Sequence, residues 1–178
     1  MNLPWRDGME NLLAGKLAGT ALTDRAAGNI RALLPLLFLR SSDESAHVAQ
    51  YTYMDLVSQL YSDNFDGVLA AWCHAHHCEH IGHTIEDNNA TARLGYGAGH
   101  FYRAMAHQDM SGIDVVIQQL LPGMDEGMFK GMHSPGWDGE FFTYMLGKLG
   151  ASLAHLDPAK KGRAMCELFG AYGWGEGN

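Results

Sequence analysis

Glu79-His80-Ile81-Gly82-His83-Thr84-Ile85-Glu86-Asp87-Asn88-Asn89 is the stretch whose reading decides the fold. Ile81 and Ile85, with Gly82 between, form a short apolar core that ends abruptly in acids and amides. That is the pattern of a buried strand whose C-terminal end delivers polar side chains. Working outward, Gly112–Gln119 (GIDVVIQQ) and Arg163–Tyr172 (RAMCELFGAY) repeat the design. Helical patterns separate the three, so the expected scaffold is α/β, with parallel strands whose C-terminal ends share one face.

Upstream, the clearest helix carries Val48, Tyr51, Met54, Leu56, Val57, Leu60 and Tyr61 at spacings of three and four, a wide apolar stripe. Phe65, Val68, Leu69 and Trp72 continue it as a long helix or a kinked pair. Earlier still, a short helix is expected from Thr23 or Asp24 to Leu34, broken at Pro35. Between the strands, a short helix is expected around His100–Met105 and a stronger one from Asp138, burying Phe141, Phe142, Met145, Leu149, Leu153 and Leu156 before Asp157-Pro158 stops it. Met124–Trp137 reads as a long Gly- and Met-rich loop, a length that in compact domains is usually functional or mobile. Residues 1–44 form a weakly patterned N-terminal helical or loop segment, and residues 45–178 hold the β/α pattern.

The 178 residues, 47% of them hydrophobic, suffice for one sizeable core. A net charge of −8 argues against a nucleic-acid partner and against an anionic membrane surface; neutral substrates or cations fit better. No run approaches the roughly 18 apolar residues of a membrane span. Met1–Gly8 lacks a basic region followed by an apolar run, which leads to the expectation of a cytoplasmic chain. Cys73, Cys78 and Cys166 have no disulfide-framework spacing and read as reduced thiols.

Several phrases resemble large bacterial (β/α)8-barrel glycoside hydrolases of the alpha-L-rhamnosidase-like type. They are Tyr53–Ser58, Trp72-Cys73 followed by His80–Asp87, Gly99–Ala104, Gln108–Val115, His155–Pro158 and Gly162–Trp174, in order over about residues 45 to 177. The resemblance implies a partial (β/α)8 (TIM) barrel of three to four parallel βα units, the central part of a catalytic domain. A complete barrel takes about 250 residues, so open sheet edges are expected, available for a homo-oligomer. It also implies a carbohydrate partner and cleavage of a glycosidic bond by two carboxyl groups.

Under that resemblance the favoured pair is Glu86 as acid and Glu167 as base or nucleophile. His83, Asp87, Asn88, Asn89, Gln118 and Gln119 would hydrogen-bond sugar hydroxyls, and Trp137, Tyr172 and Trp174 would stack on a sugar face. The bland alternatives are that the acids cap helices or pair with Arg93, Arg103 or Arg163, and that the aromatics pack in the core. Asp114, placed early in its expected strand, reads as a structural hydrogen-bonder. No cofactor is required, although a calcium ion on Glu86, Asp87 or neighbouring oxygens is an option. Two other functions remain open: a non-catalytic carbohydrate-binding fragment, and a metal-dependent hydrolase using the Cys73, His74, His76, His77, Cys78, His80 and His83 cluster.

Overall fold

A computed structural model describes residues 4–39, 42–84, 98–115 and 141–168. The chain forms two compact units, Met1–Leu60 and Tyr61–Asn178.

In the first unit, helix α1 (Met9–Leu17) buries Met9, Leu13 and Leu17, one residue per turn on a single face. Helix α2 (Thr23–Gly28) follows, then a 3-10 helix over Ile30–Leu37 that buries Leu33 and Leu37. The expected helix to Leu34 therefore ends at Gly28, and the segment around Pro35 adopts the tighter geometry rather than breaking. Helix α3 (Glu44–Tyr61) lies where the periodicity placed a helix, but it is turned differently. It buries Ala46, Ala49, Thr52, Tyr53, Leu56, Val57 and Ser58, while Tyr51 is 76% exposed. The buried face follows Ala46 and Ala49 as much as the large apolar residues. The fully buried Tyr53 donates its hydroxyl proton to the Pro4 carbonyl, and burial pushes its pKa up to about 12.

The second unit begins as α3 ends. A π turn over Ser62–Asp66 leads into α4 (Gly67–Ala75), so the expected long helix has its irregularity at the wider turn. His77, at φ 60°, closes α4: its N–H donates to His74 C=O, and the Cys78 N–H donates to Cys73 C=O at 2.9 Å. These are the two bonds of a Schellman cap. After α5 (Phe101–Ala104) comes strand β1 (Ser111–Val115). A second π turn, Phe141–Leu146, runs into α6 (Gly147–Leu156), and the chain returns through Asp157-Pro158 to β2 (Ala164–Leu168). The wider turn resets the apolar phase. Leu146 and Leu153 are buried as a result, whereas Met145 and Leu156, expected inside, are 54% and 70% exposed.

β1 and β2 pair in parallel, Ser111 opposite Ala164 through Val115 opposite Leu168. Gly150 of α6 sits under Ile113, 3.1 Å from its Cγ2 to where a β-carbon would stand. Ile113, Val115, Leu146, Leu153, Phe101 and Met105 form the core of this unit.

The described chain is mostly helical with two parallel strands, which overturns a partial (β/α)8 barrel of three to four βα units. The decisive difference is the stretch from Glu79. Through Thr84 it is extended but outside the sheet, and Ile85 lies beyond the described residues. A β-carbon on Gly112 would fall 1.6 Å from the Gly82 oxygen. Because the β-carbon direction is normal to a sheet, Gly82 crosses over the face of β1 rather than joining its edge. Ile113 points the other way, to α6, so β1 is layered between α6 and Glu79–Thr84, while β2 is largely exposed.

Candidate active site

Polar groups gather at both ends of the strand pair, and the two ends differ in kind. Before the strands, the groups are joined in a network of hydrogen bonds, in which the buried Asp66 Oδ2, Gln108 Oε1 and Ser111 Oγ are left without a partner among the described residues. Asp66, 1% exposed, takes hydrogen bonds on Oδ1 from His80 Nε2 (2.8 Å) and Gln108 Nε2 (2.6 Å). Asp109 accepts from the His80 N–H (2.7 Å) and from His74 Nε2 (2.8 Å), and its own N–H donates to His80 C=O. Lys160, fully buried, donates to the carbonyls of Met105 and Gln108, both at 2.6 Å, and lies 3.3 Å from Asp157. Arg163 holds Glu79 through both guanidinium nitrogens. These bonds tie Glu79–Thr84 and both strand entries together.

Two carboxyls here are shifted. The hydrogen bond from Arg163 holds Glu79 below its ordinary 4.5. Burial pushes Asp109 up, but the bonds from His74 and the His80 amide outweigh it and keep the group below its ordinary 3.8. Both bind protons less readily folded than unfolded. Their stabilisation is therefore complete above pH 4.5 and is lost as pH falls through the lowered folded values. Acid titration followed by circular dichroism should show the second unit losing structure in that window, with a flatter acid limb in Asp109→Asn. An identical limb in the variant would remove Asp109 as a contributor.

At the C-terminal end of the strands one carboxyl is covered and the other is open to solvent. Glu167 and Asp114 are register partners, so their side chains leave the same face of the pair. That face also carries Gly112, over which the extended segment passes and brings in His83. His83 Nε2 lies 2.7 Å from Glu167 Oε2, and Nδ1 lies 2.9 Å from Thr84 O and 3.7 Å from Asp114 Oδ2. Asp114 is 4% exposed, whereas the Glu167 side chain is 52% exposed.

The hydrogen bonds constrain the protons. A carbonyl oxygen only accepts, so Nδ1 carries the proton that meets Thr84. One proton then lies between Nε2 and Oε2, shared by a carboxyl–imidazole or a carboxylate–imidazolium pair. Glu167 thus has one side open to solvent and the other paired with His83.

Of the residues expected at the site, the structure brings together His83 and Glu167. Glu86, Asp87, Asn88, Asn89, Gln118, Gln119, Trp137, Tyr172 and Trp174 lie outside the described residues. Asp114 was assigned a structural role by its place in the sequence, yet it stands opposite Glu167; the signal for it was one acid near the end of each of two parallel strands. Arg163 does form a carboxylate pair, but with Glu79, leaving Glu167 to His83. Among the described residues no group of three or more His, Cys, Asp or Glu side chains is arranged to hold a metal ion. An open cleft of about 530 Å³ lies in the first unit, beside the Lys16–Asp55 ion pair and His47, away from any carboxyl pair. Among the described residues no helix is long and apolar enough to cross a membrane.

Comparison with models of known protein families, with curated proteins and with solved structures finds no match to this chain.

Proposed function

We propose that Glu167, His83 and Asp114 belong to an acid–base hydrolytic site, and that the bond cleaved is glycosidic. The observation that carries this reading is the exposed Glu167 carboxyl at a strand end, 2.7 Å from a histidine whose other ring nitrogen lies 3.7 Å from the covered Asp114 carboxyl. In open α/β sheets, ligands bind outside the carboxyl ends of the strands, which is where this cluster stands. Glycoside hydrolysis asks for one carboxyl that donates a proton to the leaving oxygen and another that acts as base or nucleophile. Glu167 supplies one of them. Glu86, three positions beyond His83 in the sequence, is the proposed second.

The test is turnover of a panel of aryl glycosides. Glu167→Gln should lower kcat/KM by about a thousandfold, the scale of a lost acid or base. A greater loss for poor leaving groups assigns the acid role to Glu167, and an equal loss assigns the base or nucleophile. Unchanged turnover in Glu167→Gln, or no turnover of any glycoside by the wild-type chain, overturns the reading.

A further inference from the structure

The cap that closes α4 places two cysteines at its paired positions. In a Schellman cap the sixth residue donates its N–H back to the first, and the side chains of those two residues meet over the turn. Here the two are Cys73 and Cys78, joined by the 2.9 Å backbone bond. The Cys78 thiol leans back over that turn, its Sγ 3.5 Å from His76 O. A disulfide needs Cα atoms about 4.4 to 6.8 Å apart, a separation this short backbone link is built to give.

The rings of His74 and His76 are engaged elsewhere. His74 Nε2 is held by Asp109, and His76 donates from Nδ1 to the Trp72 carbonyl with its ring stacked on Trp72 at 4.1 Å. His77 is spent on the left-handed cap position. Among the described residues no group of three or more His, Cys, Asp or Glu side chains here is arranged to hold a metal ion, so the two thiols stand at the paired cap positions by themselves.

We propose that Cys73 and Cys78 are a reversible dithiol–disulfide pair, oxidised within one chain by a small-molecule disulfide such as oxidised glutathione. Both thiols are free in this structure, Cys78 exposed and Cys73 half-buried, which sets the order of events. The Cys78 thiolate attacks one sulfur of oxidised glutathione and expels the first glutathione as its thiolate, which takes up the proton. The Cys73 thiolate then attacks the Cys78 sulfur of the mixed disulfide and expels the second glutathione. Two protein thiols lose two protons and two electrons, and one glutathione disulfide becomes two glutathione thiols.

No Lys or Arg stands between Arg40 and Arg93, so one tryptic peptide carries both cysteines. The full chain, treated with oxidised glutathione, alkylated and digested, should yield this peptide two hydrogens lighter and without alkyl groups. Reduction should restore two alkylated cysteines. Cys73→Ser should stop at the mixed disulfide, accumulating about tenfold more glutathione on Cys78 than the wild type, since the resolving thiol is gone. Cys166, exposed on β2, reports ordinary thiol reactivity in the same digest. A wild-type peptide that keeps both alkyl groups while Cys166 is modified overturns the proposal. So does one that holds glutathione on Cys78 as stably as Cys73→Ser.

Discussion

Gly112→Ala is expected to cost about 4 kcal/mol or more in the stability of the second unit, a size reserved for backbone and core disruptions. The alanine β-carbon would stand 1.6 Å from the Gly82 oxygen and 2.6 Å from its carbonyl carbon, against backbone that has no rotamer to change. Glu79–Thr84 would have to lift from the sheet, and it is tied down by His80 on Asp66, by the His80 amide on Asp109 and by Glu79 on Arg163. Gly82→Ala is the internal control. Among the described residues its β-carbon would meet only Gln108, at 3.7 Å, an ordinary contact, so a change below about 1 kcal/mol is expected. Urea unfolding of the two variants measures the contrast; equal midpoints would remove the crossing as a determinant of the fold.

Lys160→Met should cost roughly 3 kcal/mol by the same measurement, the scale for stranding buried partners of a charged donor. The methionine fills similar volume, so the effect isolates the hydrogen bonds. Two carbonyls, of Met105 and Gln108, lose a donor at a place water does not reach, and Asp157 loses its ion pair. Met105 lies in the apolar core and Gln108 belongs to the Asp66 network, so the ammonium pins the α5–β1 connection to the entry of β2. A loss below about 1 kcal/mol would show that the carbonyls find other donors.

Two of the three expected strands are strands, parallel and joined through a helix: GIDV alternates and carries the β-formers Ile113 and Val115, whereas AMCEL has neither signal and is a strand through its pairing with β1. The third failed on a point that the residues did announce. A glycine inside a strand pattern signals close backbone approach; Gly82 and Gly112 both do so, and they meet each other. Alternation alone cannot say whether an extended segment hydrogen-bonds along an edge or crosses a face. The helices were legible as helices, but their buried faces were not, since the π turns at Ser62–Asp66 and Phe141–Leu146 shift the phase without any mark in the apolar spacing. At the candidate site, Glu167 was visible as a strand-end acid. Its coupling to His83 and Asp114 was hidden, because register is a property of two strands at once.

The parallel pairing of Ser111 with Ala164 also orders the birth of the fold. Chain emerging from a ribosome can lay Glu79–Thr84 against β1 soon after α5 is made, since those partners are near in sequence. β2 is synthesised much later, and loop-closure entropy delays its arrival further. During that interval β1 is covered on one face and bare along its pairing edge, a template for the wrong strand. Glu167 therefore reaches His83 last, and their 2.7 Å contact cannot form until synthesis has passed β2.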